Sequence, residues 1–291
     1  MKIIENRKKY FAISIIIVLI GIAAMFYNSS KGNGMLNWDI EFTGGTSMEI
    51  DMGEAYEEEE LAQVIFDVTG QKSPQIQEVV GTNELVVKMQ SIDSVTRSEL
   101  ADAIKMAFPL SEINTTSDVS ATVSSEMQAS AIKASIFACL AMLIYISIRF
   151  KDVRAGGSAI IALVHDILVV ITAYAVFRIP VNNTFIAVLL TILGYSVNAT
   201  IVIFDRIREN QATSPSEQTM ETINKSITQT LARSINTSIT TFFTVGAIYV
   251  IGVQSIKEFA LPMMIGIIVG AYSSICISGS VWFSLLPKNE K

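Results

Sequence analysis

Apolar residues are gathered rather than spread along this chain. Six long runs, near 10–27, 132–148, 158–177, 184–204, 235–253 and 261–286, are almost free of charge. A hydrocarbon layer ~30 Å thick needs roughly 17–25 apolar residues in a helix to cross it. The pattern therefore predicts about six membrane-spanning helices. The first run follows four bases in residues 1–9 (Lys2, Arg7, Lys8, Lys9), flanks that resemble a signal peptide. It is nevertheless long enough to span, and no small-residue cleavage pattern follows it, so an uncleaved anchor is expected.

Between the first two runs the period changes. Leu61, Val64, Ile65 and Val68 share one face of a helix over 56–68, while Leu85, Val86, Val87 and Met89 make a strand-like run. Residues 76–80 and 84–90 flank Gly81-Thr82-Asn83, which predicts a hairpin. Thr96 and Glu99 have capping-box spacing at the start of a second helix that carries Leu100, Ile104 and Phe108 on its apolar face. With strands near 46–51 and 112–119 the order becomes β-α-β-β-α-β, the ferredoxin-like split βαβ arrangement.

Composition sharpens the division. A mean hydropathy of +0.47 with 51% hydrophobic and only 16% charged residues exceeds what a water-soluble core of this size requires. Residues 28–130 hold 18 of the 27 acids but 5 of the 21 bases. Such an acidic segment offers nothing to a nucleic-acid backbone, which is bound by clustered Lys and Arg. Arg149, Lys151, Arg154, Arg206, Arg208, Lys225, Arg233, Lys288 and Lys291 all fall on the side of the N-terminus. The positive-inside rule then puts both termini in the cytoplasm. The expected plan is a basic cytoplasmic N-terminus (1–9), a first span (10–27), an extracytoplasmic α+β domain (28–130), a five-helix membrane bundle (131–286) and a cytoplasmic tail (287–291).

Few residues offer chemistry. Cys139 and Cys276 lie in apolar runs, and the single histidine, His165, rules out a His-rich zinc site. There is no Walker loop, GxSxG or HExxH, so no enzymatic activity, metal or cofactor is expected. Asp166 sits mid-span, where an ionised carboxylate costs about 2.5–3.5 kcal/mol on insertion scales, so it must be protonated, paired or facing water. Two readings stay open: a helix-packing hydrogen bond, or a proton-linked switch. Its neighbour His165 projects ~100° away on the helix and need not act with it. Asn198 and Asp205, seven residues apart on one face, suggest a polar track along a helix interface, continued by Arg233 and Asn236 at the mouth of the fifth span. Arg233 has two options: to snorkel to the interface, or to turn inward toward Asp166.

Three segments carry a resemblance: DIEFTGGT (39–46), NNTFIAVLLTILGYSVNATIVIFDRIREN (182–210) and ARSINTSITT (232–241). They resemble the signatures of the SecF family, the smaller partner in the SecD–SecF pair of bacterial protein export, within the RND superfamily. The resemblance extends over essentially the whole chain. It implies an RND-type half in the bacterial plasma membrane that partners SecD, associates with the SecYEG channel and a YajC-type accessory subunit, and uses the proton-motive force to help move exported preproteins. It marks Asn198, Asp205, Arg233 and Asn236 as membrane motif positions, Arg206, Arg208, Glu209 and Asn210 as the motif at the cytoplasmic helix end, and Phe42, Thr43, Gly44 and Gly45 as the external junction. The chain departs from the family pattern in two ways. Ala199 stands where the family has an acid after the motif asparagine. Glu41 stands for the acid of D-F-T-G-G, with Ser120-Ala121-Thr122 in place of the family's Gly-Pro before the second span and Ser124 where a glycine is common. The first departure sets a proton-coupled subunit against a non-conducting scaffold; a small-molecule exporter of the RND type is the third alternative.

Overall fold

The computed structural model describes residues 1–32, 34–53, 56–71, 74–78, 83–150, 152–214, 218–252 and 254–287. In chain order its elements begin with helix α1 (Arg7–Ser30), strand β1 (Asn37–Trp38) and the single-turn helix α2 (Ile40–Thr43). An α+β unit follows: β2 (Gly45–Asp51), α3 (Glu58–Thr69), β3 (Gln75–Glu78), β4 (Glu84–Met89), α4 (Ser94–Ala107) and β5 (Glu112–Val119). The remainder is helical except for one short strand: α5 (Ala121–Phe150), α6 (Val153–Phe177), β6 (Pro180–Val181), α7 (Asn183–Thr213), α8 (Thr219–Ile251), α9 (Gln254–Tyr272), a π-helical segment (Ser273–Ser278) and α10 (Gly279–Leu285).

The α+β unit is ferredoxin-like. Its sheet runs β3-β4-β2-β5, every neighbouring pair antiparallel, with Met48 opposite Val87 on one side and Thr116 on the other. Side chains alternate across a strand, so Leu85, Val87 and Met89 of β4 all point to one face and are buried. That face packs with Met48 and Ile50 against Leu61 and Ile65 of α3 and Leu100 and Ile104 of α4. α3 stops at Gly70, whose φ of 72° supplies the left-handed cap. The predicted capping box is not what starts α4. Asp93 is the N-cap, and its carboxylate accepts Thr96 N at 2.8 Å, so Thr96 stands one turn inside the helix rather than at its boundary. Gly81 and Thr82 of the predicted hairpin turn fall outside the described residues.

Among the described residues six helices are long and apolar enough to cross a membrane: Arg7–Ser30, Ser124–Arg149, Val153–Phe177, Asn183–Thr213, Thr219–Ile251 and Ile256–Leu285. The chain is an α-helical membrane protein with its α+β domain between the first and second of them. α8 begins at Thr219, well before the apolar run at 235. Its first turns are polar yet bury Ile223 and Ile227 against Ile3, Ile4, Ile203, Phe204 and Ile207. The Ile3 and Ile4 amides donate to Asn224 Oδ1, so the residues before α1 are fastened to this extension. A hydropathy window cannot see such an extension because only one stripe of it is apolar.

Candidate functional site

Asp166 lies in the middle of α6 and is completely buried. Ser196 Oγ of α7 and Ser273 Oγ of the π segment both donate to its Oδ2, at 2.6 and 2.8 Å. On the other oxygen, His165 Nδ1 lies 3.0 Å from Oδ1. This corrects the expectation that His165 and Asp166 stand apart: their Cβ atoms diverge around the helix, but the imidazole is long enough to fold back. The polar cluster continues through Ser274, whose Oγ donates to Ser196 O and lies 3.0 Å from Thr200 Oγ1. Small residues make this packing possible. A Cβ on Gly270 would already meet the Ser196 Cβ at 3.3 Å. π segments break the regular ladder and are frequent at functional sites; here Ser273 and Ser274 of the segment meet α6 and α7. Three helices therefore meet around one carboxyl group with hydroxyl and imidazole partners.

The other sequence candidates lie elsewhere. Asn198 of α7 and Arg233 and Asn236 of α8 are exposed, facing away from Asp166. Arg233 does not turn inward to Asp166; it lines a groove of about 390 Å³ between α7 and α8, together with Val202, Asp205, Arg206, Glu209, Gln229 and Thr230. Asp205 pairs with Arg149 of α5 at 2.8 Å. Arg206 bonds Glu209 at 2.6 Å and Gln229 at 2.7 Å, and Asn210 Nδ2 donates to Ser226 Oγ. Arg208 reaches the Arg149 carbonyl at 3.4 Å. Asp166 is thus enclosed by the bundle, whereas Asn198 of the predicted track on α7, and Arg233 and Asn236 on α8, are exposed. Asn236 begins a polar stripe with Thr240 and Thr244 along the exposed side of α8. Polar side chains on a membrane-spanning helix are the groups that associate with a further helix.

At the domain side of the bundle, Phe42 is buried among Val170, Tyr174, Val181 and Val188. Thr43 Oγ1 donates back to Asp39 O. Gly44 has a φ of 76°, and a Cβ on Gly45 would lie 2.3 Å from the Met89 carbonyl, so the glycine pair lets the chain pass from α2 into β2. Sequence reasoning gave no role to five polar side chains here: Asp39, Lys88, Asn182, Glu258 and Gln77. Asp39 is fully buried, pairs with Lys88 at 2.8 Å and caps α2 through Glu41 N. Glu258 is 7% exposed; its Oε2 accepts Asn182 Nδ2 at 2.9 Å and its Oε1 accepts Gln77 Nε2. The signal for Glu258 was present: an acid that opens an apolar run without a nearby acidic cluster to explain it.

Comparison with known proteins agrees with this architecture. Residues 99–288 match the family model described as protein export membrane protein SecD/SecF, C-terminal. The chain is 32% identical to the protein translocase subunit SecF of Acidaminococcus fermentans over 295 residues, covering 99% of this chain and 98% of that protein. It is 33% identical to the SecF subunit of Borreliella burgdorferi, covering 99% of each. Among solved structures it is similar to the translocon-associated membrane protein SecDF of Thermus thermophilus, with a TM-score of 0.82, 29% identity and 98% of this chain covered. It spans 38% of that longer protein. A SecDF structure in its super-membrane-facing form matches with a TM-score of 0.66 and 26% identity. With a family model over most of its length and relatives matched end to end, the chain belongs to the SecD/SecF family of protein export membrane proteins.

Proposed function

We propose that the chain is the SecF-type subunit of a bacterial protein-export machine, working with SecD to use the proton-motive force to assist exported preproteins through the SecYEG channel. The observation that carries this reading is the near-complete, two-way coverage of relatives named protein translocase subunit SecF. In this reading both termini are cytoplasmic, which the distribution of bases supports, residues 28–130 are extracytoplasmic, and a YajC-type subunit is an accessory partner. No bond chemistry is assigned to it. Asn198, Arg233 and Asn236 form the face that meets SecD, and Asp166 is the carboxyl that responds to protons. Ala199 cannot bind a proton, so the enclosed Asp166 takes on that role within this subunit.

The same alanine favours a second reading, a scaffold whose proton path lies wholly in SecD. Secretion and complex assembly, measured together in a deletion strain, separate the two. Asp166→Asn and Arg233→Ala are expected to slow secretion while SecD still co-purifies. Normal secretion in both would remove these residues from the mechanism, and joint loss of secretion and assembly would favour the scaffold.

A further inference from the structure

The two helices that enclose Asp166 also hold the α+β domain at their other ends. On α7, Ser196 lies fourteen residues after Asn182, the N-cap of that helix. Along α9 into the π segment, Ser273 lies fifteen residues after Glu258. At ~1.5 Å per residue both spacings are about 21–22 Å. One pair of helices is therefore joined at two points. Within the membrane Ser196 and Ser273 share the Asp166 carboxyl, and at the domain side Asn182 and Glu258 bond each other.

The domain-side point is built for one direction of contact. Asn182 Oδ1 is committed to capping α7, accepting Thr184 N at 3.1 Å and Thr184 Oγ1 at 2.5 Å. The cap aims Asn182 Nδ2 at Glu258. The second carboxylate oxygen of Glu258 is left for the domain, and Gln77 of β3 donates to it. Gln77 and Gln75 lie on the sheet face that α3 and α4 leave uncovered. Gln75 reaches Asn37 Oδ1 at 2.9 Å, and Lys88 of β4 reaches Asp39. β3 and β4 thus meet this junction through polar side chains, which hold by geometry and are released without exposing a hydrophobic core.

We propose that Glu258 and Asn182 form the mount that moves the domain, passing a displacement of α7 against α9 at Asp166 to the β3–β4 edge through Gln77. The proposal rests on the reading of Asp166 as the proton-responsive carboxyl. Glu258 is a positioning residue, acting through Asn182 and Gln77. An interior packed at solid-like density shifts as rigid bodies, so a change in the Ser196 and Ser273 bonds reappears at the Asn182–Glu258 bond.

The test uses the whole chain with its SecD partner, in liposomes for proton uptake and in a deletion strain for secretion. Glu258→Leu and Gln77→Leu should leave proton uptake intact while lowering secretion about fivefold or more, the lower end of ordinary coupling strengths. Glu258→Gln should retain both, because its amide oxygen still meets Asn182 and a turned Gln77 amide accepts from its nitrogen. Normal secretion in both leucine variants would overturn the mount. So would a parallel fall of uptake and secretion, which marks a merely structural contact, or a Glu258→Gln variant as defective as Glu258→Leu. Failure of the underlying reading shows separately, as unchanged uptake in Asp166→Asn.

Discussion

The α+β domain and the helix bundle sort their side chains by different rules. In the domain the core between sheet and helices is apolar, with Met48, Ile50, Leu61, Ile65, Leu85, Val87, Leu100 and Ile104 buried. In the bundle Ser158, Asp166, Ser196, Thr200, Ser273, Ser274 and Ser278 are buried, while Ile15, Ile16, Leu19, Ile20 and Phe243 are exposed. Water drives the first arrangement, since removing apolar surface from it is favourable. Lipid removes that drive, and helices then associate through close approach of small residues and through hydrogen bonds. A large apolar residue marks the inside of the domain, whereas in the bundle it stands on both sides, Phe204 buried and Phe243 exposed. In the bundle it is the polar residue whose environment is informative.

The largest expected effect tests the sorting directly. Leu61→Ala in the domain core should cost about 2–5 kcal/mol. Ile16→Ala on the exposed side of α1 should stay within about 0.5 kcal/mol. Denaturation of the full chain in detergent, followed by a probe in each region, reads both; equal losses would break the comparison. Smaller, and confined to the bundle, is the effect of adding volume at a helix crossing. A Cβ on Gly21 would lie 2.7 Å from the Thr172 Cβ, whereas around Gly194 there is nothing within 4 Å. Gly21→Val should cost about 1–3 kcal/mol and Gly194→Ala should be close to neutral, as thermal unfolding of the two variants would report.

This difference explains what was legible in the sequence. The ferredoxin-like order was legible because period-2 and period-3.6 patterns declare the inward face when the outside is water. Six spans were legible from length alone. Which face of each span points inward was not, because lipid and protein interior favour the same apolar side chains. Asn198 and Ser196 are two residues apart on α7, yet one is exposed and the other bonds Asp166. The His165–Asp166 contact depends on a side-chain rotamer, which spacing does not encode. The Glu258–Asn182–Gln77 junction joins three segments far apart in the chain, and the Asp93 cap was obscured by an equally plausible cap three residues later.

The smallest effect belongs to the water-facing side. The hydrogen bond from Thr46 Oγ1, and then Arg97, hold the Asp118 carboxyl below the ordinary carboxylate range. A depressed folded-state pKa contributes stability above the unfolded value and loses it as pH falls through the folded one. Domain stability should therefore decline below about pH 4, and Asp118→Asn should flatten that decline slightly. An unchanged acid slope would show that the pair is screened by solvent.

The most direct measurement of the central claim is proton uptake by liposomes that contain the chain with its SecD partner, comparing the natural chain with Asp166→Asn and Ala199→Asp. Uptake should fall in Asp166→Asn, because the enclosed carboxyl is the responding group, and rise in Ala199→Asp, which adds an acid beside the exposed Asn198. Uptake unchanged in both would contradict that claim and place the protons wholly in the partner.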